Sequence, residues 1–261
     1  MRATSQRRAG RPAGPATELR IGSFARIDQG RSVRIGLPEI ILGEGKSPDH
    51  LVGILRGLAR RSHGALVSRP TAAQLERLAL ERRRGLRTHE LAGGRVVRLA
   101  GPLGIEPLRA TIAIVAAGTS DVPVAEECRA VLREMGARCR TAYDVGVAGL
   151  HRLLRALSAL ERARPHVYLV FAGREGALPT VVAGLVSAPV LGVPVSVGYG
   201  RGGRGEAALG AMLQSCAPIA VVNIDAAVPA ALWAARVARR AAEGPVLGGR
   251  PRRRARRPRE R

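Results

Sequence analysis

The pattern of apolar and polar positions divides the chain into two parts. In the second part, short apolar runs alternate with amphipathic helical stretches from about residue 110 onward. The first run, residues 111–117, is rich in β-branched side chains and ends at a small polar turn, residues 118–121. A helical pattern then begins near Pro123, which suits a first turn because its missing N–H has no helical partner there. This alternation predicts a parallel sheet with helices on both faces and right-handed crossovers.

We therefore expect residues 108–243 to form an α/β domain, with three layers built around a parallel sheet. The predicted strands are residues 111–117, 138–143, 166–171, 190–194 and 219–224. Residues 21–100 predict a smaller α+β domain in front of it. Apolar residues between positions 51 and 58 give its first helix one apolar face, and Thr71 caps a second helix.

The two ends differ in composition from the rest of the chain. Residues 1–20 are rich in Arg, Pro and Gly, and residues 244–261 are a run of Arg interrupted by Pro. Runs of like charge with Pro do not pack against a core. We expect a disordered leader and a disordered tail.

Composition narrows the class of protein. Hydrophobic residues make up 46% of the chain and aromatic residues only 2%, so the core must be built from Val, Leu, Ala and Ile. No apolar stretch is long enough to span a bilayer, and the first residues lack the apolar core of a secretory signal. The odd number of cysteines, none with CxxC spacing, and the scattered histidines argue against a disulfide framework and a structural zinc site. We expect a cytoplasmic protein without a membrane partner.

The formal charge of +23 raises the possibility of nucleic-acid binding. The basic residues are almost all Arg, since Lys46 is the only lysine, and they accompany an excess of Ala, Gly, Leu, Val and Pro. That joint bias is typical of a GC-rich coding sequence rather than of a selected phosphate-binding surface. A nucleic-acid-binding module that uses the Arg-rich ends remains an alternative, but we do not expect nucleic acid as a partner.

Polar side chains follow three of the predicted strands, at the point where each strand ends. Ser120 and Asp121, Asp144, and Glu175 occupy these turns. The carboxyl ends of parallel strands share one edge of a sheet, where ligands of open α/β sheets bind, and helix N-termini there favour anions. The alternative is that Asp and Glu at these positions only cap helices.

Two sets of motifs resemble known families. The segments GTSD at 118–121, AGREGALP at 172–179 and PVLGVP at 189–194 resemble the aminoimidazole ribonucleotide carboxylase domain. A closer resemblance, over about residues 24–235, is to the pyridinium-3,5-biscarboxylic acid mononucleotide synthase family of nickel-pincer nucleotide biosynthesis. Its segments are RIGLPE at 34–39, GEGKSP at 43–48, YDVGVAGLHR at 143–152, SVGYG at 196–200, SCA at 215–217 and VVNID at 221–225. Residues 226–229 (AAVP) depart from that family's Asn-Gly-Phe-Gly-type turn.

The resemblance implies a carboxylase and hydrolase that acts on nicotinic acid adenine dinucleotide with CO2 or bicarbonate and releases AMP. It implies Mg²⁺ without an organic cofactor, and a homo-oligomer, an octamer in relatives of this fold. A thiolate that adds to the electron-poor pyridinium ring makes the neighbouring carbon nucleophilic, and Cys is suited to that role. We assign it to Cys216, and expect Cys128 and Cys139 to be packing residues.

Other roles follow from the same resemblance. Glu175 or Asp121 would take the ring proton, and the sequence does not distinguish them. Asp144 would orient His151 and Arg152 or hold Mg²⁺ at the diphosphate, and no metal-ligand cluster is visible. The expected substrate contacts are Gly118, Thr119, Ser120, Asp144, His151, Arg152, Gly173, Gly176, Tyr199 and Lys46. An aminoimidazole ribonucleotide carboxylase or mutase, which needs no thiol, is the alternative enzyme.

Overall fold

The structure is a computed structural model that describes residues 18–198 and 200–242. Its first part begins with an antiparallel hairpin and a short helix and continues as a four-stranded sheet in the order β3-β4-β6-β5, with two helices. The elements are β1 Glu18–Ile21, β2 Ala25–Asp28, α1 Arg31–Ile35, β3 Ile40–Leu42, α2 Pro48–Ala59, β4 Ala65–Ser68, α3 Ala72–Arg83, β5 Thr88–Leu91 and β6 Val96–Leu99. Strands β3 and β4 are parallel, and β4, β6 and β5 pair antiparallel.

The second part is a five-stranded, fully parallel sheet in the order β11-β10-β9-β7-β8. The elements are β7 Thr111–Ala116, α4 Val122–Glu134, β8 Arg138–Ala142, α5 Leu150–Glu161, β9 Val167–Ala172, α6 Ala177–Ala183, β10 Val190–Pro194, α7 Glu206–Leu213, β11 Ile219–Val221 and α8 Ala227–Ala242. Strand residues alternate between two cores, one shared with α4 and α8 and the other with α5, α6 and α7. The predicted α/β fold with a three-layer domain is confirmed.

The core is built from small aliphatic side chains, as the composition requires. All six residues of β7 and of β9 are buried, because these interior strands are covered on both faces. Helix α8 packs on α4 through a face of fully buried alanines, which permit close approach of the two helices. These alanines are Ala227, Ala230, Ala231, Ala234, Ala235 and Ala238.

Several elements differ from the sequence-based expectation. Strand β1 begins at Glu18, inside the predicted leader. The β1–β2 hairpin and β5 were not predicted, because these four-residue strands show no clear alternation of apolar and polar residues, and the five-residue helix α1 was not predicted either. Strand β11 ends at Val221 rather than 224, since as an edge strand it pairs with β10 alone. Helix α8 begins at Ala227, within the AAVP segment, rather than near Pro229. Among the described helices, none combines the length and the apolar character needed to cross a membrane.

Candidate functional site

Asp121 lies in the turn that follows β7, at the carboxyl edge of the parallel sheet. Residues 119–121 form a 3₁₀ turn, and α4 follows at once. The Asp121 carboxylate accepts a hydrogen bond from the backbone N–H of Gly118 at 2.8 Å and another from the backbone N–H of Gly173. Its side chain makes no capping hydrogen bond to α4. Asp121 therefore joins the turn after β7 to the turn after β9.

The surroundings of Asp121 raise the pKa of its carboxyl toward neutral pH. The residue is 4% exposed, and this burial raises the pKa of the carboxyl from 3.8 to about 6, with a further raising effect from the charge of Glu175. The two backbone N–H donors act in the opposite direction because they stabilise the ionised form. A carboxyl group with a pKa near 6 can both accept and return a proton near neutral pH.

Gly173 lies where three strand ends meet. A Cβ atom on it would be 2.5 Å from the Val197 carbonyl oxygen, 2.8 Å from the Val195 carbonyl oxygen and 2.9 Å from Asp121 Oδ1. No side chain fits between these groups, so glycine is required for this close approach. The structure thus brings Gly118, Asp121 and Gly173 together at the carboxyl edge of the sheet.

The other predicted residues of these two turns differ in exposure. Thr119, Ser120 and Glu175 are exposed at the carboxyl edge. Gly176 is buried in a left-handed conformation (φ 69), and a Cβ on it would be 2.5 Å from the Ala208 carbonyl oxygen, so its position serves the packing of α6 against α7. Tyr199, a predicted substrate contact, lies outside the described residues.

A second pair of predicted residues meets after β8. Asp144, in a left-handed conformation with φ 56, accepts a hydrogen bond from Arg152 Nη1 at 2.7 Å. The guanidinium lies over Gly149, where a Cβ would be 2.5 Å from Arg152 Nε. Both charged side chains are about half exposed, at 54% and 43%, and His151 is exposed beside them on α5. The ion pair leaves an exposed cation and an imidazole available to an anionic ligand.

Lys46 belongs to the first domain, in the turn between β3 and α2. Its backbone carbonyl accepts a hydrogen bond from Gln74 Nε2 at 2.7 Å, and its backbone N–H donates to the Gly43 carbonyl. These contacts hold the backbone of the turn in place. The predicted contact of Lys46 with substrate stays a prediction.

Cys216 is exposed in the loop between α7 and β11. Because β11 runs parallel to β10, a loop that enters β11 lies toward the amino ends of the strands. Asp121 and Glu175 follow strands and lie at the carboxyl ends. The neighbouring Ser215 accepts a hydrogen bond from Thr180 of α6 at 2.8 Å. Within one chain, therefore, the structure does not bring Cys216 to the turns that hold the two carboxylates.

The other two cysteines lie in packed surroundings. Cys128 is fully buried in α4, and burial raises the pKa of its thiol well above the usual range. Cys139 in β8 is half-buried, and burial raises the pKa of its thiol to about 11. Neither group forms thiolate readily near neutral pH. Both environments are those of packing residues.

The described residues contain no group of three or more His, Cys, Asp or Glu side chains that could hold a metal ion. Mg²⁺, in contrast to zinc, is commonly bound by one or two carboxylates together with substrate phosphates. Asp144 and Glu175 are exposed carboxylates at the carboxyl edge and suit that mode of binding.

The sequence reasoning missed the contribution of Arg69. This residue follows β4 in the first domain and donates a hydrogen bond to the backbone carbonyl of Asp225, which follows β11. A cavity of about 450 Å³ between the two domains is lined by both residues. Asp225 stood in the VVNID segment, but no signal in the sequence linked it to a residue 156 positions away.

Comparison with known proteins gives matches in both domains. The AIR carboxylase family matches residues 111–244, and the LarB/PurE-like N-terminal domain family matches residues 18–98. An uncharacterized protein of Methanocaldococcus jannaschii is 37% identical over 222 residues, which is 82% of this chain and 84% of that protein. The N5-carboxyaminoimidazole ribonucleotide mutase of Pyrococcus horikoshii is 33% identical over 132 residues, 48% of this chain and 71% of the mutase. The phosphoribosylaminoimidazole carboxylase of Saccharomyces cerevisiae is 30% identical over 148 residues, 54% of this chain and 25% of that protein.

The matched regions coincide with the two domains of the structure. The first spans β1 to β6, and the second spans the five-stranded sheet with its helices. Together they support a carboxylase-family function for an enzyme in which the turn that holds Asp121 (the acidic turn, residues 118–121) lies at the carboxyl edge of the sheet. The chain belongs to the LarB family, in which a LarB/PurE-like N-terminal domain precedes an AIR carboxylase domain.

Proposed function

We propose that the protein is a carboxylase and hydrolase of nicotinic acid adenine dinucleotide. It joins CO2 or bicarbonate to the pyridinium ring, hydrolyses the phosphoanhydride and yields pyridinium-3,5-biscarboxylic acid mononucleotide and AMP. The observation that supports this most directly is the joint match of both domains, since the mutase relative covers only 48% of the chain. The buried Asp121 supplies a proton acceptor at the edge where the substrate would bind.

The thiol solves the chemical difficulty of the first step. A pyridinium ring does not attack CO2, but addition of a thiolate next to the target carbon forms a C–S bond and moves the ring electrons onto the nitrogen. The resulting enamine carbon attacks CO2 and forms the new C–C bond. A carboxylate then takes the proton from that carbon, the C=C bond re-forms, and the thiolate leaves, which restores the pyridinium. This is covalent catalysis with Cys216 as the nucleophile.

Asp121 is the carboxylate that we favour as the proton acceptor. Its pKa of about 6 makes it ionised at neutral pH and still basic enough to accept a proton. Glu175 is exposed nearby and is the second candidate. Arg152, held by Asp144, and the N–H groups of residues 119 and 120 suit the carboxylate and phosphate groups of the substrate.

The proposal requires that the thiol come from a second copy of the chain. Cys216 lies toward the amino ends of the strands and is exposed, whereas Asp121 lies at the carboxyl ends. In a homo-oligomer, the Cys216 loop of one copy can cover the carboxyl edge of another. The expected homo-oligomer, an octamer in relatives, is thus part of the proposed mechanism. Mg²⁺, when bound, would be held by the diphosphate with Asp144 or Glu175 and would supply charge neutralisation for the hydrolysis.

One assay tests the proposal. The purified full chain is incubated with nicotinic acid adenine dinucleotide, bicarbonate and Mg²⁺, and the products are identified by mass spectrometry. We expect AMP and a doubly carboxylated pyridinium mononucleotide. Cys216→Ala should abolish the ring carboxylation, and Cys139→Ala, which removes a half-buried thiol elsewhere, is the matched control. Absence of the carboxylated product with the wild-type protein would overturn the proposal.

The mutase relatives favour one other activity. Rearrangement or carboxylation of aminoimidazole ribonucleotide needs no thiol, so Cys216→Ala should spare it. Turnover of N5-carboxyaminoimidazole ribonucleotide by both the wild-type protein and this variant would favour the mutase instead.

A further inference from the structure

The contact between the two domains is anchored by one buried carboxylate. Glu127 of α4 is fully buried, and its Oε1 accepts a hydrogen bond from Ser68 Oγ at 2.7 Å. Its Oε2 accepts from Arg95 Nη2 at 3.0 Å, and Arg69 Nε lies 3.5 Å from Oε1. All three partners belong to the first domain. A buried charge with this many partners fixes the position of each of them.

Arg69 is the member of this group that reaches the carboxyl edge of the parallel sheet. Besides Glu127, its guanidinium contacts Glu44 at 3.8 Å and donates a hydrogen bond to the Asp225 carbonyl oxygen. The three nitrogens of one guanidinium thus face three different groups, an arrangement that lysine cannot reproduce.

Both ends of the Arg69–Asp225 contact have an unusual backbone. Arg69 has φ 51 and Asp225 has φ 55, in the left-handed region that residues other than glycine rarely adopt. Such conformations persist where the surrounding contacts impose them, and they concentrate at functional sites. Here the backbone N–H of Arg69 donates to the Arg95 carbonyl and that of Asp225 donates to the Pro194 carbonyl, each at 2.8 Å.

From Asp225 the contacts continue to Asp121. Asp225 Oδ1 accepts a hydrogen bond from the backbone N–H of Ser196 at 2.9 Å, in the loop after β10. The carbonyl groups of Val195 and Val197 in that loop lie against Gly173. No space is left there, because a Cβ atom on Gly173 would meet both carbonyl oxygens and Asp121 Oδ1. Gly173 in turn donates its N–H to Asp121. A shift of the loop therefore changes the surroundings of Asp121.

We propose that Arg69 is a positioning residue, which acts through Asp225 to hold the loop after β10 against the turn that carries Asp121. The first domain thereby sets the geometry of the acidic turn in the second. The inference rests on the proposed function for its kinetic consequence, but its structural consequence is measurable without turnover.

The test compares two arginines that join the same two domains. Arg69→Lys removes the guanidinium that holds Asp225. Arg98→Lys is the matched control, because Arg98 of β6 bonds Glu134 of α4 at 2.9 Å and also donates to the backbone carbonyls of Leu99 and Gly101. We expect Arg69→Lys to lower kcat roughly 10- to 100-fold with little change in KM. Arg98→Lys should leave kcat near the wild-type value.

A second readout follows the pKa of Asp121 itself. In each background, the unfolding free energy is compared with that of its Asp121→Asn derivative as a function of pH. The pKa should stay near 6 in the wild-type and Arg98→Lys proteins and fall toward 3.8 in Arg69→Lys, since water enters beside the carboxyl. Glu175 is the charged group that acts on Asp121, so its presence in all backgrounds keeps the comparison equal.

Asp225→Gly provides an independent variant. Glycine keeps the left-handed backbone and removes only the carboxylate that holds Ser196, so it should reproduce both effects of Arg69→Lys. The double variant should be no worse than either single one, because both act through the same loop. Equal effects of Arg69→Lys and Arg98→Lys on kcat and on the Asp121 pKa would overturn the inference. If the wild-type protein does not carboxylate the dinucleotide, the proposed function fails while the pKa comparison still decides the role of Arg69.

Discussion

The carboxylate of Asp121 reaches back three residues to the backbone N–H of Gly118, with Oδ2 at 2.8 Å from the nitrogen. This hydrogen bond closes the turn at the end of β7, and the carboxylate makes no capping hydrogen bond to α4. Burial and the nearby charge of Glu175 raise the pKa of this carboxyl, whereas the hydrogen bonds from the backbone N–H groups of Gly118 and Gly173 lower it. The balance gives an acid whose ionisation changes near pH 6.

Replacement of Asp121 by Asn should remove the proton acceptor while preserving most of the side-chain shape. We expect kcat to fall by about 10²- to 10⁴-fold. In the wild-type protein, kcat/KM should fall below about pH 6, since the base must be ionised, and this acid limb should be absent from the residual activity of the variant. The measurement is a pH–rate profile of dinucleotide carboxylation. A variant with the same acid limb would assign the base to another residue, with Glu175→Gln as the next comparison.

The same carboxyl should make stability depend on pH. Its pKa is about 3.9 in the unfolded chain and about 6 in the folded one, so the folded state holds the proton more tightly between these values. Stability contributed by this group is therefore lost as pH rises from 4 to 6, by up to about 3 kcal/mol at 1.36 kcal/mol per pKa unit.

Asp121→Asn does not titrate, so its unfolding free energy relative to the wild-type protein should rise by about that amount between pH 4 and pH 7.5. Urea denaturation at the two pH values measures this difference. Asparagine has one acceptor oxygen for two N–H donors, and the resulting loss of a hydrogen bond is the same at both pH values. A constant difference between the two proteins would show that Asp121 has an ordinary pKa.

Gly173→Ala should disrupt the meeting point of the three turns. The new methyl group would lie 2.5 Å and 2.8 Å from two backbone carbonyl oxygens, which cannot move as side chains do. We expect a loss of roughly 1–3 kcal/mol in stability and a loss of activity on the order of 100-fold. Gly210→Ala in α7 is the control, since nothing lies within 4 Å of its added Cβ, and it should stabilise the helix by about 0.5–1 kcal/mol. Full activity of Gly173→Ala would separate this turn from the site.

Mixing of two inactive variants tests whether the thiol comes from another copy. Cys216→Ala and Asp121→Asn should each be nearly inactive in ring carboxylation, with at most about 1% of the wild-type kcat. If the site combines Asp121 of one copy with Cys216 of another, mixed oligomers formed by co-expression should regain activity, because roughly a quarter of the sites then hold both native groups. A site built within one chain would leave the mixture inactive, whereas the two single variants would remain inactive in either case.

Removal of the Arg-rich ends separates the enzyme from the nucleic-acid-binding alternative. Residues 1–17 and 245–261 lie outside both matched domains, and β1 begins at Glu18, so truncation at these points spares every described strand. We expect the truncated chain to keep its turnover within about twofold and to lose any salt-sensitive affinity for RNA or DNA. A loss of turnover comparable to that of Asp121→Asn would assign the ends a part in the reaction.

The elements that the sequence predicted best are those with a clear hydrophobic pattern or a clear helix cap. The interior strands β7 and β9 are continuous apolar runs. The predicted cap of α3 at Thr71 is confirmed, since its side chain accepts a hydrogen bond from the backbone N–H of Gln74. The hairpin β1–β2 and strand β5 were missed because four-residue strands with mixed polarity depend on their partners rather than on their own pattern. Helix α5 shows a similar limit. The spacing of its leucines predicts that Leu150, Leu153, Leu154 and Leu157 share one buried face, but only Leu153 and Leu157 are buried, whereas Leu150 and Leu154 are about half exposed.

The candidate site divides in the same way. Polar residues after parallel strands must share one edge, so the sequence alone could place Ser120, Asp121, Asp144 and Glu175 at the same edge. The same rule places Cys216 at the opposite ends, because its loop enters a strand rather than leaving one. The sequence could not give the burial that raises the pKa of Asp121, because that burial depends on which strands and loops pack around the carboxyl.

The sequence by itself determined the two-domain organisation, the parallel sheet, the family and the edge on which the acidic turn lies, because each follows from residues close together along the chain. Only the tertiary structure decided that Arg69 of the first domain contacts Asp225 of the second, and that Glu127 is buried between Ser68, Arg69 and Arg95. Contacts between residues so far apart arise from the packing of whole elements, and their energies have no counterpart in the spacing of residues along the chain.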